Sequence, residues 1–245
     1  MKKYFFSGPI ILLVIWWVVA ELKLIDPFFL PNPKDTLIEL FGLFSSGIII
    51  KDIIATLLRT IEAFFIAMIL GVPLGLFLGK FEKVYRSLEF IIDFFRSTPA
   101  TAIFPLFLLI FGITDNSKIA VAAFGALLII LFNSAYGVIN SDKSRILAAK
   151  TMGASNRQIF KHVIFWESLP QTFIGMRSAI SLSLVIIVVT EMFIGTNIGI
   201  GRRIIDSQLI YNIKAMYASI LIAGVLGYLL NYILLALERK FVHWN

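Results

Sequence analysis

A chain of 245 residues that is 59% hydrophobic and only 15% charged has too little charge to cover a soluble domain of its size. It has no cysteine and only two histidines, His162 and His243, which excludes disulfides and thiolate chemistry and leaves little from which to build a metal centre or a catalytic constellation. The net charge of +7 does not point to nucleic acid, because the cations lie between long apolar runs, where they report membrane topology.

A helix that crosses a bilayer needs roughly 20 mainly apolar residues. Six stretches qualify, at about 8–25, 53–79, 98–112, 119–139, 172–195 and 215–237. Lys2 and Lys3 ahead of the first resemble the start of a signal peptide. Its apolar run is longer than a usual signal core, however, and no A-x-A-like cleavage site follows, so it reads as a retained helix. Residues 26–52 open with Pro27, Pro31 and Pro33 and then become amphipathic. Leu37, Leu40, Phe41 and Phe44 recur at helical spacing, which predicts a helix along the outer membrane surface. Residues 1–52 thus form an N-terminal span with an external segment, and 53–245 form the core.

In the second span Gly71, Gly75 and Gly79 recur every four residues and make a flat face for close helix packing. The run Gly75–Lys80 is not a phosphate-binding loop: only three residues separate Gly75 from Gly79, and Phe81 follows Lys80. Arg59 and Glu62, three apart on one helix, are expected to neutralise each other. The third span is short and draws on part of 88–95. Arg96, Ser97, Thr98 and Pro99 mark a helix break beside it, which makes Arg96 and Pro99 candidate pathway residues. Asn133, Ser134 and Asn140 place polar groups on the fourth span, as packing contacts or, for Asn133, as a further pathway candidate. Glu191 follows the apolar run 182–189. A carboxylate that deep faces protein or water, as a structural partner or as part of a pathway.

With both termini inside, 14 lysines and arginines fall on the cytoplasmic side against 8 outside, the expected bias for that orientation. No segment has strand periodicity. The predicted class is an all-α integral membrane protein with six transmembrane helices and both termini cytoplasmic.

Residues 140–171 form the longest cytoplasmic segment. Asp142 or Ser144 can cap a short helix through Met152, and Gly153 is suited to end it. Ser155 and Gln158 form an S-x-x-Q capping box that starts a second helix, which Pro170 is expected to stop. Ala148, Ala149, Gly153 and Ala154 cluster at the bend, where another protein could approach the backbone closely. Arg145, Lys150, Arg157 and Lys161 would favour an acidic rim on it. An ordinary basic loop is the alternative reading.

This segment resembles the coupling loop of bacterial ABC importer permeases, whose signature runs E-A-A, three residues, G, then a later L-P. Ala148-Ala149, Gly153 and Leu169-Pro170 match it. The chain is similar to the nitrate/taurine/sulfonate-type branch in several further motifs: Leu30-Pro31-Asn32-Pro33, Thr56-Leu57-Leu58-Arg59, Arg96 to Pro99, Pro105 to Gly112, Gly175-Met176-Arg177 and Glu191. It departs at Leu147, which replaces the signature glutamate, and at Trp166, which replaces an upstream proline.

The resemblance implies a type I importer-like permease in the bacterial inner membrane, surrounded by lipid. Its partners would be a second permease copy, an ATP-binding cassette ATPase and a periplasmic or lipid-anchored solute-binding protein. The ATPase would dock on Leu147, Ala148, Ala149, Met152, Gly153, Ala154 and Ser155. ATP would be consumed by that partner, with no cofactor and no nucleic acid bound by this chain. The solute would be a nitrate-, taurine- or sulfonate-like anion or a vitamin-precursor-like molecule. A stand-alone transporter or channel, or a membrane-embedded enzyme, are the competing classes.

Overall fold

Inside a bilayer an apolar run without strand period can satisfy its backbone only as a helix. In the computed structural model, which describes residues 7–193 and 196–242, every regular element is helical. The order is α1 Ser7–Glu21, α2 Pro33–Ser45, α3 Ile48–Lys80, α4 Glu82–Ser97, α5 Phe104–Phe111, α6 Asp115–Ile139, α7 Lys143–Thr151, α8 Asn156–Ile159, α9 Phe165–Phe193, α10 Ile200–Leu209 and α11 Ile213–Phe241. A π-turn, Phe160–Ile164, joins α8 to α9, so that Asn156–Phe193 runs as one helical stretch of 38 residues.

The centre of the bundle is α3, α6 and α9. Phe64 and Ala67 of α3, Ala126 and Ile130 of α6, and Met176 and Ile180 of α9 form one buried cluster. The predicted glycine face of α3 lies against α6. A Cβ at Gly75 would stand 2.5 Å from the Leu131 carbonyl oxygen, and one at Gly79 would stand 2.6 Å from the Val138 Cβ. Only glycine allows these backbones to approach so closely.

Among the described residues, four helical stretches are long and apolar enough to cross a membrane: α3, α6, the α8–α9 run and α11. The expected third span is not a straight helix. Thr98 is extended, Pro99 follows it, and the segments on either side, Glu82–Ser97 and Ala100–Phe111, meet at 87°. A proline disfavours helix in the residue before it, so the chain turns there, and only as a bent pair can this region count as a fifth span. Helix α1 has 15 described residues, a length of about 22 Å against a hydrocarbon thickness of about 30 Å. Lys2 and Lys3 ahead of it, Gly195 at the end of the fifth predicted span, and His243 lie outside the described residues.

One further expectation is corrected. Pro170 does not stop a helix; it sits inside α9. Its local penalty, about 3 kcal/mol, is outweighed because neighbouring Ser168 packs on Gly137 of α6, where a Cβ would come within 2.9 Å of the Ser168 carbonyl oxygen. The four apolar residues predicted at helical spacing all lie on α2. Leu40 packs with Leu43 against Ile49, Ile200, Ile204 and Ile222, whereas Leu37, Phe41 and Phe44 remain exposed.

Candidate functional site

The expected hairpin forms at the end of the bundle where α6 stops and α9 begins. Asp142 Oδ1 accepts the Ser144 backbone N–H at 2.8 Å and caps α7. That N–H holds the Asp142 carboxyl below the ordinary carboxylate range. The helix ends at Met152, and Gly153 follows with φ +81°, in the left-handed region. Gly153 N–H donates to the Lys150 carbonyl at 3.0 Å and Ala154 N–H to the Ala149 carbonyl at 3.1 Å. This pair of reversed bonds is the Schellman arrangement, which glycine adopts at least cost. The Ser155–Gln158 capping box then starts α8, with Ser155 N–H donating to Gln158 Oε1 at 2.8 Å.

The hairpin presents an apolar tip edged with small residues. Met152 is 86% exposed and Leu147 62%, while Ala148, Gly153 and Ser155 are exposed and Ala149 and Ala154 half-buried. No described atom lies within 4 Å of where a Gly153 side chain would begin. A larger residue there would therefore meet backbone strain and any docked partner, not its own protein. Of the four expected cations, Lys150, Arg157 and Lys161 are exposed. Arg145 is exposed too, and is in addition paired with Glu167 Oε1 at 3.1 Å.

The candidate pathway residues divide between two places. Arg96 lies in the last turn of α4 and Pro99 forms the bend after it; both line a cavity of about 460 Å³ with Thr98, Gly125 and Leu182. The Arg96 guanidinium pairs with Asp93 at 2.9 Å and lies 3.8 Å from the centre of the Phe132 ring. Asn133, next to Phe132, donates to the Ile129 carbonyl and accepts from Gln171, both at 2.8 Å. Glu191 stands about two and a half turns beyond Leu182 on α9, apart from the others.

Glu191 is 1% exposed and is the hub of an ionic cluster at the end opposite the hairpin. Its carboxylate accepts from Arg59 Nη1 at 2.6 Å, from the Thr56 hydroxyl at 2.8 Å and from the Gly201 backbone N–H at 3.0 Å. Arg59 Nη2 reaches Asp115 at 3.0 Å, and Asp115 also holds Lys118 at 3.1 Å. Asp52 accepts from the Gly199 N–H at 2.9 Å and pairs with Arg203 at 2.7 Å. Three cations and three anions thus balance where α3, α6, α9 and α10 meet. Gly199 and Gly201 press against Glu191; a Cβ at Gly199 would lie 2.5 Å from its carboxyl carbon. The expected Arg59–Glu62 pair is therefore replaced. A buried guanidinium needs close partners, and α9 and α6 provide them for its two terminal nitrogens, whereas Glu62 is exposed. Asp52, Asp115, Arg203, Glu167 and Gln171 were not among the residues singled out by sequence, since none stands out against its neighbours until helices far apart in the chain are packed together.

The profile of the family described as binding-protein-dependent transport system inner membrane component matches residues 71–243, well over half of the chain. The chain is 30% identical over 240 residues to the taurine transport system permease protein TauC of Escherichia coli K12, covering 96% of this chain and 87% of that protein. It is 27% identical to a putative aliphatic sulfonates transport permease protein, SsuC, of Bacillus subtilis 168, over 97% and 86%. It is 28% identical to the nitrate import permease protein NrtB of Synechocystis PCC 6803, over 95% and 86%. A crystal structure of the MetNI methionine ABC transporter in an inward-facing conformation contains a chain of similar fold, with TM-score 0.69 and 22% identity, matching 80% of this chain and 96% of that one. The chain belongs to the binding-protein-dependent transport inner-membrane component family, the ABC transporter permeases, and is a membrane-spanning helical transport protein.

Proposed function

We propose that this permease is the translocation subunit of an ATP-driven importer, powered by a separate ATPase that docks on the α7–α8 hairpin. The observation that carries the reading is the hairpin tip. Exposed Leu147 and Met152, flanked by Ala148, Ala149 and a left-handed Gly153, form an apolar surface on a polar end of the protein, the kind of patch that marks a contact with another protein. The names of the relatives support import of a small anion of the taurine, sulfonate or nitrate kind. A vitamin-precursor-like solute is the other class considered. A second copy of the chain completes the pathway, and an external binding protein delivers the solute. In this reading the hairpin and both termini are cytoplasmic, α1 and the bent α4–α5 pair complete six spans, and the Glu191 cluster lies at the outer end. Arg96 and Pro99 face the pathway at the bend.

The test is reconstitution of the chain with its ATPase and binding protein in liposomes, followed by uptake of labelled taurine, an alkanesulfonate and nitrate. ATP-dependent uptake of one of them is expected. Uptake that proceeds without the ATPase would instead support a stand-alone transporter. For topology, a reporter fused after Asn245 is expected to be active only if it is of the cytoplasmic type.

A further inference from the structure

The α7–α8 hairpin has two connections to the membrane bundle. Its first limb hangs from α6 through the turn at Asn140 and Ser141. Its second limb enters α9 through the π-turn Phe160–Ile164, a geometry rare in helices and often found at functional sites. Glu167, on the first turn of α9, bypasses both. Its Oε2 accepts the backbone N–H of Asp142 at 2.8 Å, and its Oε1 lies 3.1 Å from Arg145, so one carboxylate grips the cap and the first turn of α7. The side chain is only 11% exposed, in contrast to the 64% of Arg145. The clasp is therefore sheltered on the α9 side and less screened than an ordinary surface pair.

Above Glu167 on the same face of α9, one turn apart, come Gln171 and Gly175. Gln171 donates to Asn133 Oδ1 of α6 at 2.8 Å, and a Cβ at Gly175 would lie 2.5 Å from the Cβ of Asn133. The residue before Asn133, Phe132, carries the Arg96 guanidinium on its ring. Contacts made by successive turns of α9 and by adjoining residues of α6 thus lie between the hairpin base and the α4–α5 bend.

We infer that Glu167 is a positioning residue that makes the first limb of the hairpin move as one body with α9, and so passes a displacement of the hairpin into the bundle. The inference rests on the docking of an ATPase at the hairpin. Rigid transmission requires elements that shift together and do not flex at their joints. The Glu167 clasp ties the start of α7 directly to the first turn of α9, across both the turn at Asn140 and the π-turn.

The test uses the complex of this chain with its ATPase in liposomes, comparing wild type with Glu167→Ala, Glu167→Gln and Arg145→Ala. The measurements are copurification of the ATPase, ATP hydrolysis and solute imported per ATP hydrolysed. All three variants should copurify and hydrolyse ATP within about twofold of wild type. Import per ATP should fall on the order of tenfold in Glu167→Ala. It should fall less in Glu167→Gln, which keeps an acceptor for the Asp142 N–H, and in Arg145→Ala, which removes only the ion pair. Should Glu167→Ala not reach the membrane, the other two variants carry the test, since one is nearly isosteric and the other changes an exposed side chain. An unchanged ratio, or loss of copurification as the main defect, would overturn the role assigned to Glu167. A wild-type chain that does not hold the ATPase at all would overturn the docking reading itself.

Discussion

Arg59 of α3 places one guanidinium nitrogen 2.6 Å from Glu191 of α9, although 132 positions separate them in the chain. The pair is inside the protein, with side-chain exposures of 10% and 0%. Removing one partner of a buried pair strands the other charge, at a cost of about 3–5 kcal/mol. Glu191→Ala is therefore expected to lower the thermal unfolding temperature of the detergent-purified protein sharply. Glu191→Gln, which still accepts from Thr56 and Gly201, should lower it less, and Arg59→Met with Glu191→Leu should recover part of the loss. Equal unfolding temperatures for wild type and Glu191→Ala would contradict the assignment of this carboxylate as a structural hub.

The approach of α3 to α6 gives a second prediction. Gly75→Ala would push a methyl group into the Leu131 carbonyl and Ser134, an overpacking cost of about 1–3 kcal/mol. Gly224→Ala on α11 meets nothing within 4 Å and should be neutral or slightly stabilising through helix propensity. Similar unfolding temperatures for the two variants would show that the glycine face is not a close contact.

How much of this was legible in the sequence follows from the range over which each signal acts. Asp142, Gly153, Ser155 and Gln158 fix the hairpin through bonds within five residues, so local rules found it. The glycine period of α3 predicted its packing face for the same reason. The partners of Arg59 were not legible, because they arrive from α6 and α9, and the nearer Glu62 was a sound local guess. The helix through Pro170 was missed because packing against Gly137 outweighs a local penalty. The pairing of Arg145 with Glu167 was missed because Glu167 lies beyond the hairpin.

The cap of α7 should respond to acid. Asp142 has its folded value depressed by the Ser144 N–H, so its contribution is present above the unfolded carboxylate value and lost as pH falls through the lower folded one. Hydrogen-exchange protection of α7 amides, corrected for intrinsic rates, should be flat above about pH 5 and decline only in stronger acid. In Asp142→Ala the protection should be low throughout. A decline near neutral pH would point to a different titrating group.

Leu147 is 62% exposed beside the still more exposed Met152, which favours an apolar groove on the docked partner. Covering such a side chain contributes about 1.5–3 kcal/mol, so Leu147→Glu should weaken ATPase association roughly tenfold or more, whereas Leu147→Met should be tolerated. Tighter binding by Leu147→Glu would show instead that the groove retains a cation.

The central claim is that the hairpin is where the ATPase docks, and Gly153→Leu with Ala149→Trp tests it most directly. Gly153 is left-handed with open space around it, and Ala149 lies in the adjoining turn. Each change therefore places bulk in the partner's path without disturbing the spans. The measurement is copurification of the ATPase with each variant, alongside ATP-driven uptake and the amount of permease in the membrane. The account predicts normal membrane levels, weakened association and lost uptake for both. Normal copurification and uptake in both variants would contradict it.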